Sequence, residues 1–300
     1  MTARGPLQIS AVLVVHNEES FVGHCLESLA AVADEVLVAH DGPCSDRSLE
    51  IARQYTPHVF VHEFRGAPET HVIQLIRKAN HDWILRLDCD ETLSPGLIQR
   101  LREIKSNAYL DEDMAQGLAS GQSLENVTHY DVIWRAIYTK ADESPARALE
   151  IPNRTVLFQR SAATWVGIPH NLPHFAGAAR AIRECIYHYA PHQHYGLYKL
   201  LTKKLYPFSK NDASIRIKFP IEALGADSVR PVDRWRNSHP LLVAGPLAAY
   251  QFARALLTWF RSAHGEESVR NLRWPIAHGA YQLFLAYHIY RLRRHGSIEN

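Results

Sequence analysis

The sequence predicts an α/β fold: a mostly parallel sheet covered by helices on both faces, continued by a helical C-terminal extension. Two observations lead there. Within the first hundred or so residues a short apolar run is followed four times by a segment with helical spacing, which is the rhythm of βαβ units. Each polar cluster in this part of the chain directly follows one of the apolar runs, so the clusters collect at the carboxyl ends of the strands, where open α/β sheets bind ligands.

The elements follow in order. Residues 9–15, ISAVLVV, are rich in β-branched side chains and apolar at nearly every position, as a strand buried on both faces requires. His16, Asn17, Glu18 and Glu19 end that strand, and Phe21, Cys25, Leu26 and Leu29 then recur at helical spacing. A second strand is predicted at 35–39, then a polar loop at 40–46 and a helix through Leu49, Ile51 and Ala52. A strand at 59–62, a helix at 72–79 and a strand at 83–87 come next, and a helix at 97–104 follows the acidic cluster at 88–91. Beyond it the pattern loosens. Residues 106–126 read as a polar insertion, 130–137 and 155–159 as strands, and 241–260 and 276–294 as aromatic-rich helices. A domain at 1–225 and an extension at 226–300 are expected.

Composition narrows the function. The 300 residues are 46% hydrophobic and 21% charged, which is globular and neither disordered nor collagen-like. The formal net charge of +2 hides an asymmetry. From residue 230 onward there are ten Arg, no Lys and four acids, so the chain before it is net acidic and a nucleic-acid binder is disfavoured. Four scattered cysteines without a CxxC pair argue against a zinc finger or a disulfide scaffold. No secretory signal is read at the N-terminus, so a cytoplasmic setting is expected.

The strongest chemical signal is the Asp88-Cys89-Asp90-Glu91 cluster after the fourth strand. Two carboxylates one residue apart at a sheet edge can hold Mg²⁺ or Mn²⁺, which take hard oxygen ligands and neutralise a departing diphosphate. Standing alone, the triplet reads equally well as a turn that caps the next helix. Asp41, after the second strand, can accept hydrogen bonds from a base or ribose or form an Asx turn. The loop after the first strand can line a base pocket or simply open a helix with acidic residues.

Taken in order, VVHNEE, VAHDGPCSDRSLEIA and DWILRLDCDETLSP resemble the family 2 glycosyltransferases of the GT-A fold. The last segment is similar to the branch of lipopolysaccharide-core β-1,4-glucosyltransferases. That resemblance implies inverting transfer of a sugar from a nucleotide-diphosphate donor, most simply a UDP-sugar, to a cell-envelope saccharide or lipid-linked acceptor. It implies that Val14, Val15, Asn17, Glu18, Asp41 and Asp88 contact the nucleotide. Asp88 and Asp90 would bind the metal, and His188, in an HY pair like that of the branch, would complete the site.

Residues 154–160 and 165–170 resemble the branch's RLFRR and WxGxVHE stretch, with Asn171 where the branch has Glu. An amide has no useful basicity, so His170 is the expected base, with Glu150 the alternative. Glu69-Thr70-His71 also departs from the branch's polar triplet. The basic, aromatic tail, with Trp235, Trp259, Trp274, Arg291, Arg293 and Arg294, could be a helical cap alone but is expected to combine helices packed on the domain with an exposed strip in peripheral contact with the inner face of the cell membrane. Two rival functions remain. One is a catalytically impaired sugar-nucleotide binding module, consistent with Asn171. The other is a nucleotidyltransferase, whose Gly-rich phosphate loop is missing after the first strand.

Overall fold

The computed structural model describes residues 7–106, 127–137, 150–165, 173–189, 196–218, 231–262 and 273–295. The chain forms two compact units. The first comprises Met1–Phe64, Pro68–Gly167 and Leu172–Ala190, and the second comprises Arg65–Ala67, Ile168–Asn171 and Pro191–Asn300.

The first unit is built on β1 (Ile9–Val15), β2 (Glu35–Asp41), β3 (Val59–His62), β4 (Trp83–Arg86), β5 (Glu91–Leu93), β6 (Val127–Ala136), β7 (Glu150–Gln159) and β10 (Ala178–His188). These make one sheet in the order β3-β2-β1-β4-β7-β6-β10-β5. The pairs among β3, β2, β1 and β4 are parallel, as is β6 with β10, whereas β7 and β5 run against their neighbours. The expected mostly parallel α/β architecture is therefore present. β8 (Ala163–Thr164) and β9 (His174–Phe175) form a separate two-stranded ladder.

All seven residues of β1 are buried, which explains its unbroken apolar sequence. Alternate side chains feed two cores. Ala11, Leu13 and Val15 join Cys25, Leu26, Leu29 and Leu85 on one face, and Val12 and Val14 join Val72, Leu75 and Phe158 on the other. Helices α1 (Glu19–Ala30), α2 (Ser48–Tyr55), α3 (Glu69–Lys78) and α4 (Pro95–Lys105) supply the covering layers. The cap of α4 is Ser94, whose hydroxyl accepts from the Leu97 amide at 3.2 Å, with Pro95 at the first helical position. Capping therefore does not require Asp88 or Asp90.

In the second unit a turn at Leu197–Lys199 and a π-helical stretch at Leu200–Leu205 lead into α5 (Tyr206–Lys218). Three more helices follow: α6 (Pro231–Ser238), α7 (Pro240–Ser262) and α8 (Arg273–His295). Ala213 of α5 shares a core with Tyr281, Leu285 and Ile289 of α8. For that reason the units divide after Ala190, ahead of residue 225, where the sequence places the boundary.

Candidate active site

The loops after β1 and β2 are stitched together by their own side chains. Asn17 takes a left-handed backbone, φ 53°, which Asn tolerates better than most residues. Its amide donates to His40 Nε2 at 3.3 Å, and its side-chain oxygen accepts from the Ser45 amide at 2.7 Å. His40 must then carry its proton on Nδ1, which donates to the Gly42 carbonyl at 2.7 Å. Glu19 and Asp46 exchange contacts across the gap: the Glu19 amide donates to Asp46 at 3.0 Å, and the Arg47 amide donates to Glu19 at 3.0 Å. Gly42, at φ +87°, cannot carry a side chain, because a Cβ there would lie 2.8 Å from the Cβ of Phe64.

Asp41 closes β2 and is only 3% exposed. Its Oδ1 accepts from His71 Nε2 at 2.8 Å, and His71 Nδ1 meets His62 Nδ1 at 3.1 Å. With Nε2 donating to the carboxylate, a neutral His71 takes the proton of His62 on Nδ1, so the three side chains form a directed chain. Asp41 is presented by α3 through His71, one of the residues at which the sequence departs from the family pattern.

The acidic cluster is arranged by two antiparallel pairings. In the β4–β7 ladder Leu85 faces Leu157, and the same register carried three residues further sets Asp88 opposite Arg154. Asp88 accepts from Arg86 at 2.7 Å and from Arg154 at 3.0 Å, one arginine to each oxygen. Burial works against its charge, but Arg86, Arg154 and His188 outweigh that and hold the carboxyl below its usual range. In the β5–β10 ladder Glu91 faces His188, which brings His188 Nε2 to 3.2 Å from Asp90. The Trp134 ring lies 4.5 Å from the His188 ring, and its indole N–H donates to Glu91 at 3.0 Å. Glu91 also accepts from the Asp88 amide at 2.9 Å. Burial and the neighbouring Asp88 raise the Glu91 carboxyl, with Arg154 opposing.

Glu18 faces the same cluster. Burial, with Asp90 and Asp88 alongside, pushes its carboxyl up to about 7, against hydrogen bonds from the His16 amide and the Cys89 thiol. Cys25 and Cys89 are thiols whose titration burial pushes far upward, so neither is an activated nucleophile.

The structure thus gathers Asn17, Glu18, Asp41, Asp88, Asp90 and His188 at the carboxyl edge of the sheet. Val14 and Val15 are core side chains that can offer only backbone there. Glu150, at the start of β7, is committed to Arg135, which donates to it at 2.5 and 2.8 Å. His170 and Asn171 lie outside the described residues, as does most of the polar stretch at 106–126.

The donors for a divalent cation fit in part. Asp90 and His188 supply an oxygen and a nitrogen side by side, a pairing that suits Mg²⁺ or Mn²⁺, while Asp88 is taken by its arginines. Among the described residues no three His, Cys, Asp or Glu side chains already surround one cation position, so a cation here would draw further ligands from diphosphate and water. Sequence reasoning quoted Arg86 and Arg154 only inside motifs. Trp134 and Glu91 carried no assigned role, and the signal that would have found Arg154 is the β4–β7 register. A separate cavity of about 480 Å³ lies at the amino ends of the strands, lined by Glu35, Thr56, His58 and His81, on the edge of the sheet away from this cluster.

Known proteins share parts of this chain. It is 24% identical over 193 residues to an uncharacterized glycosyltransferase of Rickettsia felis, covering 61% of this chain and 62% of that one. The chain thus spans about three fifths of that relative's length. It is 30% identical over 103 residues to the lipopolysaccharide core biosynthesis glycosyltransferase LpsC of Rhizobium meliloti, 33% of this chain and 37% of the other. S. aureus TarS 1-349 in complex with UDP is a weaker structural likeness, at TM-score 0.39 and 12% identity over 98% of this chain and 93% of that one. The family described as Glycosyl transferase family 2 matches residues 10–186. That match starts in β1, ends in β10 and takes in every strand that shapes the acidic cluster, and over more than half its length the chain belongs to glycosyl transferase family 2.

Proposed function

We propose that the chain is a metal-dependent inverting glycosyltransferase that moves a sugar from a nucleoside-diphosphate donor, a UDP-sugar first among them, to a saccharide or lipid-linked acceptor of the cell envelope. The observation that carries this reading is the pairing of Asp90 with His188 beside an Asp88 held between Arg86 and Arg154. A divalent cation bound by Asp90 and His188 would offset the charge that builds on the leaving diphosphate. Arg86 and Arg154 add two fixed positive charges to the same edge, preorganised for phosphate oxygens. The Asp41 carboxylate is acceptor-only and is oriented by His71, which suits it to an N–H or O–H of the nucleoside. In one displacement the acceptor hydroxyl attacks the anomeric carbon, its proton passes to a base, and the diphosphate departs with the bonding pair. The family match and the printed name of LpsC support a sugar transfer to an envelope glycan, which would place the work at the cytoplasmic face of the cell membrane.

A second reading, sugar-nucleotide binding without transfer, is favoured by the commitment of Glu150 to Arg135. One assay separates the two. The purified chain is incubated with UDP-glucose, UDP-N-acetylglucosamine and GDP-mannose plus Mn²⁺, and release of nucleoside diphosphate is followed. Transfer chemistry predicts release from one donor and a loss of about 100-fold or more in Asp90→Asn. A folded D90N that keeps its turnover contradicts the metal assignment, and a wild-type chain inert towards every donor supports the binding reading.

A further inference from the structure

Helix α7 contains an 18-residue stretch, Pro240–Leu257, apolar enough to cross a membrane, yet only 11% of it is buried. Its other side packs on α8. Ala248 is buried, and Gly279 of α8 comes so close that an added Cβ would sit 3.4 Å from the Ala248 carbonyl. The exposed residues Leu242, Pro246, Ala249, Tyr250, Ala253 and Leu257 recur at helical spacing and form one apolar stripe, with Leu242 75% exposed. Among the described residues of the second unit, the exposed charge has one sign. Fifteen Lys and Arg among the described residues of this unit stand against two carboxylates, Asp212 and Asp233. Both carboxylates are buried and bound by Arg216 and Arg236, so every acidic side chain among those residues is turned inward. Arg234, Arg254, Arg293, Arg294, Lys199 and Lys203 are exposed, as is Trp235.

We propose that the second unit docks on an anionic phospholipid surface, with the apolar stripe of α7 seated in the interface plane and the surrounding cations on the headgroups. An exposed apolar stripe flanked by Lys, Arg and Trp is the composition of a helix that lies in the interface. Arg254 within the stretch and the close packing on α8 set α7 against crossing the bilayer. This inference does not rest on sugar transfer.

The test is flotation of the full chain with vesicles of phosphatidylcholine alone and of phosphatidylcholine with about one third phosphatidylglycerol, at low and at about 0.5 M salt. The expected result is binding to the anionic vesicles that is about ten-fold or more weaker on neutral vesicles and at high salt. Leu242→Glu with Tyr250→Glu should abolish it while circular dichroism and Tm are kept. Arg293→Glu with Arg294→Glu, which leaves the apolar stripe intact, should weaken it. A folded chain that ignores anionic vesicles overturns the proposal, as does a double glutamate variant that still floats. Vesicle-bound chain that alkaline carbonate fails to strip would make α7 a span, and a dimer dispersed by the same glutamates would make the stripe a self-association face; either result overturns it too.

Discussion

Glu18 lies in the field of Asp88 and Asp90, and its carboxyl titrates near 7 in the fold against an ordinary 4.5, chiefly because it is buried. The fold thus favours the neutral form, and stability falls as pH rises from about 4.5 through about 7, where the unfolded chain gives up the proton first. Glu18→Gln keeps an oxygen for the His16 amide and removes the charge. It is expected to raise Tm at pH 8 by roughly 4 °C and by less at pH 5; scanning calorimetry of both proteins at the two pH values checks this, and equal shifts would refute it. At this scale the sequence was partly readable. Asp88 and Asp90 were identified by type and place because they follow a strand, whereas His188 stood out only through its resemblance to the HY pair of the family. The bond from His71 to Asp41 was not readable, since the two residues are 30 positions apart and meet only after α3 has packed beside β2.

Strand pairing explains what local sequence hid. β1, β2 and β4 were readable because burial on both faces writes a continuous apolar run, and the half-exposed edge strand β3 was readable by its short β-branched run. β5 has three residues, and β10, AARAIRECIYH, has an irregular burial pattern, broken by register shifts and with three charges along it, so neither leaves a recognisable pattern. Yet their pairing is what brings His188 to Asp90. The β4–β7 register likewise makes Arg154 the partner of Asp88 and a close neighbour of Glu91 at 3.7 Å. Arg154→Leu leaves the Asp88 and Glu91 carboxylates with one guanidinium fewer, and because Asp88 is partly open to water the expected cost is about 1–2 kcal/mol of unfolding free energy. Urea denaturation monitored by tryptophan fluorescence measures it, and a cost below about 0.5 kcal/mol would show that Arg86 alone suffices.

At the scale of the molecule, the two units divide the chemistry by charge. The first collects carboxylates at one sheet edge, and the second, among its described residues, exposes cations but no carboxylate and carries the apolar stripe of α7. The basic tail was legible as composition, whereas α5 and α6 were not resolved as elements, because their buried ionic residues Asp212, Arg216, Asp233 and Arg236 mask the apolar period on which a helix reading depends. The central claim concerns the first unit: Asp90 and His188 hold a divalent cation together with a nucleoside diphosphate. Isothermal titration of UDP into the wild-type chain, Asp90→Asn and His188→Ala, each with and without Mn²⁺, tests it most directly. The account predicts that Mn²⁺ tightens UDP binding to the wild type by about ten-fold or more and does little for either variant. UDP binding indifferent to Mn²⁺ in the wild type, or equally strengthened by it in all three proteins, would contradict the account.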